Sequence, residues 1–229
     1  MLSGWTKSRQ IRISNSSALS NYQIRVVINR SDGSSSGDNI YIGTECLNNY
    51  NDIRFTLQDD TELSYFLAEH DTNSAVFWVK IPSIVAGITT ILLQYGNLNA
   101  TTTSDGATTF PLFFEDFLTT LNPGKWTSTG NISIVDGQIS ITNNAYSTNQ
   151  GIVSVSTFAR GYSLTARLKV NRHDNAANSN FYTGFYTSSA LTQISVYNTR
   201  TDIQNFVSGS GNNSVTISAT PLDENWHIS

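Results

Sequence analysis

Apolar and polar residues alternate along most of this chain. Ile11 and Ile13 alternate with Arg12 and Ser14, and Tyr22, Ile24, Val26 and Ile28 alternate with Gln23, Arg25 and Asn29. Ala75, Phe77, Val79 and Ile81 share one parity, and Trp78 and Lys80 the other. Successive side chains of a strand point to opposite faces, so period two over roughly 4–8 residues predicts half-buried strands. Pro82 is predicted to end the third of these strands, and Gly87 to introduce another over residues 88–95. Residues 132–141 read as a β-hairpin over the Asp136-Gly137 turn. Further along, Tyr162, Leu164, Ala166, Leu168 and Val170 fall on one parity, and residues 181–186 and 191–197 predict a strand pair. No stretch carries a sustained 3.6-residue period. The pattern predicts an all-β chain of two tandem β-sandwich, jelly-roll-like domains.

The alternation breaks at residues 101–109, which are small, polar and rich in Thr. This stretch predicts an exposed junction with few contacts, placing a first domain at 1–104 and a second at 110–229. The last residues, from Pro221 to Ser229, read as a turn and the start of a new strand. The second domain is therefore expected to be cut short.

Composition narrows the functional classes. The chain has 229 residues, of which 13% are charged, with a net charge of −4 and 11% aromatics. Disordered chains lack aromatics, and nucleic-acid binders carry a basic patch, so neither class fits. A set of 30 Ser, 27 Thr and 24 Asn gives a polar surface with little charge. One cysteine, Cys46, excludes an internal disulfide and reads as a small buried hydrophobe. No run approaches the ~20 apolar residues of a membrane helix, so no membrane insertion is expected. The opening Met1-Leu-Ser-Gly-Trp-Thr-Lys7 does not read as a signal peptide. Either export is not the route, or a leader has been trimmed.

Several ordered pieces of the first hundred residues carry a resemblance. They are Ile11-Arg-Ile-Ser-Asn15, Tyr22-Gln-Ile-Arg-Val26, Asn51-Asp-Ile-Arg-Phe55, Leu63-Ser-Tyr-Phe-Leu-Ala-Glu69, Val76-Phe-Trp-Val-Lys-Ile-Pro82 and Leu93-Gln-Tyr-Gly-Asn97. This half resembles an uncharacterised domain of exported bacterial, archaeal and viral proteins, domain of unknown function two-three-four-one. The resemblance implies an all-β surface domain and no particular chemistry. Phe114-Glu-Asp-Phe117, Leu121-Asn-Pro-Gly-Lys-Trp126, Val135-Asp-Gly-Gln-Ile-Ser-Ile141 and Glu224-Asn-Trp-His-Ile228 make the second half resemble a concanavalin-like or laminin-G-like jelly roll.

Such sandwiches hold sugars between aromatic faces and polar side chains. Strand parity puts Arg167, Tyr182, Tyr186, Gln193 and Tyr197 within reach of one sheet face, if 181–186 and 191–197 pair. The same tyrosines also read simply as good strand formers on half-buried faces. Asp116, beside Glu115, has a calcium reading at a jelly-roll rim, against that of a solvated strand-edge pair. Adjacent strand residues face opposite ways, so only one of the two carboxylates would bind directly. Glutamate occurs at Glu45, Glu62, Glu69, Glu115 and Glu224 only, and no two have the spacing of a glycosidase acid and nucleophile. There is no nucleophile elbow, and Ser208-Gly-Ser-Gly211 reads as a hairpin tip. The expectation is a non-catalytic surface or adhesion module, on a cell envelope or on a virion as a tail or receptor-binding component. Its partner would be a glycan or a surface protein. The alternative is a structural protein that assembles into a homo-oligomer, filament or shell through its strand edges.

Overall fold

The computed structural model describes residues 1–135, 137–142 and 150–158, together with the backbone of the strands beyond. Contact density divides the chain into two compact units, Met1–Val153 and Ser154–Ser229. The expected junction at 101–109 lies inside the first.

In chain order the first unit contains β1 (Lys7–Asn15), β2 (Leu19–Asn29), β3 (Asn39–Tyr41), β4 (Arg54–Thr56), β5 (Tyr65–His70), β6 (Ser74–Ile84), β7 (Gly87–Tyr95), the single-turn helix α1 (Gly106–Thr109), β8 (Trp126–Thr129), β9 (Asn131–Val135) and β10 (Gln138–Thr142). Strand β11 (Gly151–Ser154) pairs with β8, and β9 with β10. The larger sheets are three-stranded, β1-β7-β4, and four-stranded, β3-β2-β6-β5. They form a β-sandwich. Ile11, Phe55, Ile91 and Leu93 from one sheet join Val26, Ile28, Phe77, Val79 and Ile81 from the other in one apolar core. The Phe77 ring is fully buried and meets Phe55 at 5.5 Å and Tyr65 at 5.8 Å, both edge to face. Truncating such a ring to Ala costs about 3–5 kcal/mol.

The alternation in the sequence maps onto these faces. In β6, Ala75, Phe77, Val79 and Ile81 are buried in the core, while Trp78 and Lys80 are half-buried on the outer face. Pro82, however, does not end β6. The strand continues to Ile84, and the ladder with β2 resumes at Ser83 opposite Ser20 after passing over Pro82. Proline has no N–H to give, so that one rung is lost and the strand survives around it. Strands β9 and β10 pair as expected, with Val135 opposite Gln138 and Gly137 at φ 71°; Asp136 lies outside the described residues.

Residues 101–114 depart from the expected exposed junction. They run back over the outer face of the four-stranded sheet as a strap. Asp105 N–H donates to Tyr65 O at 2.9 Å, and Leu67 N–H to Ser104 Oγ at 2.8 Å. Gln23 Nε2 and Lys80 Nζ donate to the carbonyls of Thr109 and Thr108. Asp105 caps α1 through Thr108 N–H. Phe110 and Phe114 then stack on each other and close over Phe66 and Trp78, with Phe66 and Phe114 centroids 4.8 Å apart. Trp78, polar in parity but apolar in chemistry, is thus the floor of a second, smaller apolar cluster.

The second unit contains β12 (Arg167–Leu168), β13 (Asn180–Tyr186), β14 (Leu191–Tyr197), β15 (Ile203–Ser208), β16 (Asn212–Ile217) and β17 (His227–Ile228). Strands β13 to β16 form an antiparallel meander, and β12 pairs with β17. The expected strand pair at 181–186 and 191–197 corresponds to β13 and β14. Ser208 lies opposite Asn212 where β15 pairs with β16; the expected hairpin tip at 209–211 lies outside the described residues. Of the run expected at 162–171, only β12 lies within the described residues.

Candidate functional site

Buried charge is the first place to look for chemistry, because it must be balanced by partners. In the first unit it centres on Asp52 and Arg54, 0% and 4% exposed. They flank Ile53, whose side chain enters the core, so both charged side chains are turned away from it. Asp52 accepts the N–H of Leu47 at 2.9 Å on Oδ1 and that of Gly96 at 2.8 Å on Oδ2. Arg54 Nη1 donates to the carbonyls of Asn51 and Ile53 and to Tyr65 Oη, and Nη2 to Thr101 O at 2.5 Å. Its Nε lies 3.6 Å from Glu62 Oε2, and its guanidinium sits 5.1 Å from the Trp5 ring centroid. Trp5 Nε1 in turn donates to Asp52 O at 2.7 Å. Gln94, fully buried beside them, donates to Thr56 Oγ1 and Asp60 Oδ1 and accepts Leu2 N–H at 2.7 Å. These groups are consumed in tying β4 to β5, β7 and the N-terminal segment. The sequence showed Asp52 and Arg54 only as part of a resemblance. Its one further signal was two charges bracketing an apolar Ile in a strand-forming run.

The Phe114–Phe117 stretch is not a strand, which changes the geometry of the two carboxylates there. Glu115 Oε2 accepts Trp126 Nε1 at 3.2 Å and lies 3.6 Å from Lys125 Nζ. Asp116 is exposed and accepts Leu118 N–H at 3.3 Å. Among the described residues, no three His, Cys, Asp or Glu side chains gather as a metal-ligating group. Cys46 is 5% exposed, and burial pushes its thiol up to about 11, so it is a protonated, poorly nucleophilic group at neutral pH.

The expected sugar-facing residues fall on described backbone of the second unit. Tyr182 lies opposite Ser195, Gly184 opposite Gln193, Tyr186 opposite Leu191 and Asn180 opposite Tyr197. Directly opposed residues share a face of an antiparallel pair. The ladder therefore brings the positions of Tyr182, Tyr186, Gln193 and Tyr197 to one face of the β13–β14 pair. Arg167 is not in that sheet. It pairs with Ile228 in the separate β12–β17 ladder.

The molecule is thus an all-β protein whose first unit is a sandwich clamped by its own buried charges. Residues 49–129 match the family model described as Domain of unknown function (DUF2341). That match takes in the Asp52–Arg54 clamp, the strap and β8, and it supports the resemblance read in the N-terminal half. No curated protein and no solved structure matches the chain. Among the described residues, no helix is long and apolar enough to cross a membrane.

Proposed function

We propose that this chain is a non-catalytic surface or adhesion module, carried on a cell envelope or a virion, whose C-terminal sheet binds carbohydrate. The reading rests on one observation, the β13–β14 register that aligns Tyr182, Tyr186, Gln193 and Tyr197 on one face. Tyrosine rings there offer flat platforms for the C–H face of a sugar, and the Gln193 amide offers hydrogen bonds to its hydroxyls. The test is binding of the whole chain to a glycan array, followed by Tyr182→Ala and Tyr186→Ala. Loss of a ring should weaken binding by about 1–3 kcal/mol. Unchanged affinity in both folded variants would move the site off this face.

A second reading, structural assembly through a strand edge, is favoured by β1. In the first unit the edge of β4 is closed by Leu63 N–H to Phe55 O at 2.8 Å, and that of β5 by Asp105 N–H to Tyr65 O. Among the described residues, nine-residue β1 pairs with β7 alone. Such an edge is a template for another chain. Concentration-dependent filaments in sedimentation and microscopy, with no glycan bound, would replace the first reading by this one.

A further inference from the structure

Strand β1 forms one edge of the three-stranded sheet, and its ladder with β7 is unbroken. All nine residues pair without a bulge, from Lys7 opposite Tyr95 to Asn15 opposite Gly87. Among the described residues, no backbone group of β1 bonds to backbone outside that ladder. Alternate residues of an antiparallel strand turn their N–H and C=O to opposite sides, so β1 holds out a row of unpaired groups about 30 Å long. The other edges of the two large sheets are short or closed. Strand β3 has three residues, and Leu63 and Asp105 close β4 and β5.

Cations on an edge strand ordinarily repel a second strand. Of the three on β1, two are engaged within the chain. Lys7 Nζ lies 2.7 Å from Glu45 Oε1, and Arg9 Nη1 donates to Tyr41 O. Arg12 is exposed and, among the described residues, enters no ion pair. One free cation, at a known place in the strand, restricts how a second copy can pair.

Ile11 is buried, Arg9 and Ile13 are half-buried on the same face, and Ser8, Gln10, Arg12 and Ser14 are exposed on the other. A twofold axis perpendicular to the sheet keeps these faces matched and sets one residue opposite itself. An axis at Arg9 or Arg12 would set like charges directly opposite, which is destabilising. An axis at Gln10 would leave Ser14 and Asn15 without partners. An axis at Ile11 pairs the whole strand. It sets Gln10 opposite Arg12, Ser8 opposite Ser14, and Arg9 opposite Ile13. The Gln10 amide oxygen then accepts from the Arg12 guanidinium of the second copy, twice across the axis.

We infer that β1 pairs antiparallel with β1 of a second copy of this chain, centred on Ile11, joining two three-stranded sheets into one of six strands. The inference rests on the strand-edge reading above and bounds it. The twofold consumes the same edge on both copies, so the ladder closes at a dimer. It leaves the C-terminal sheet free to act as proposed.

The test is sedimentation equilibrium of the whole chain, which should show a monomer–dimer equilibrium. Gln10→Arg sets arginine opposite Arg12 and should raise the dimer dissociation constant about tenfold, whereas Gln10→Glu makes two ion pairs with Arg12 and should lower it. The register is read by a Ser8→Cys, Ser14→Cys double variant. Directly opposed strand residues are within disulfide reach, whereas positions 8 and 14 of one strand are about 20 Å apart. Mild oxidation should therefore give a covalent dimer linked between 8 and 14 of different copies. Positions 8, 10 and 14 are exposed, and a circular dichroism spectrum equal to the parent's confirms that the variants fold. A monomer at every concentration would overturn the dimer and the strand-edge reading with it. Filaments or dimers that form no link between 8 and 14, or that respond to neither Gln10 variant, would overturn this pairing and leave assembly by another surface.

Discussion

Gly106 lies flat against the ring of Phe114, closer than any side chain on residue 106 would allow. A Cβ there would occupy the space of the ring itself, and Gly106 is buried. The contact fixes where the strap leaves the sheet. It follows that Gly106→Ala should push Phe114 off Phe66 and lower the unfolding free energy by about 1–3 kcal/mol, the usual cost of overpacking. Urea denaturation of the two proteins measures it, and an unchanged midpoint would show that the strap re-docks freely.

The strap also makes a prediction about proteolysis. Residues 101–114 are polar enough to look like a cleavable linker, yet they are hydrogen-bonded to β2, β5 and β6 and anchored by two aromatic rings. Limited digestion of the native chain should leave this stretch intact. The Phe110→Ala, Phe114→Ala double variant should expose it and give a new fragment ending between 101 and 114. Rapid cleavage there in the parent would contradict the docking.

Arg54 and Glu62 test which half of the clamp carries weight. Arg54 is 4% exposed and serves four acceptors besides Glu62, whereas the Glu62 side chain is 51% exposed. Arg54→Ala should cost about 3 kcal/mol because it strands buried carbonyls and the Tyr65 hydroxyl. Glu62→Ala should cost under about 1 kcal/mol, as for a solvent-screened pair. Equal losses in the two variants would mean that the ion pair, rather than the buried hydrogen bonds, holds the clamp.

Alkaline pH should weaken the first unit. Burial pushes the Cys46 thiol up to about 11 and the Tyr50 hydroxyl up to about 12, so both stay protonated in the fold where an unfolded chain would already have released the proton. Their contribution is fully present below about pH 9 and is lost as pH rises through the raised values. Thermal unfolding followed from pH 8 to 11 should show a falling midpoint. In parallel, a thiol reagent at pH 8 should leave native Cys46 unmodified and react fully in denaturant.

What the sequence determined by itself was local. Period two in Ala75, Phe77, Val79 and Ile81 identified the core face of β6, and Asp136-Gly137 identified a hairpin, because side-chain direction in a strand and turn chemistry depend on neighbours along the chain. Alternation also reached the pairing of β13 with β14, which follows from two adjacent apolar runs and a short connection. The sequence could not reveal that residues 101–114 fold back. Their composition is that of a linker, and only the exposed aromatic floor of Phe66 and Trp78, built by two different strands, gives Phe110 and Phe114 somewhere to dock. The same holds for the clamp, where Arg54 meets Trp5 and Thr101. Those meetings are set by sheet order and register, and a hydrophobic pattern read along one strand carries no information about which distant loop the sandwich brings beside it.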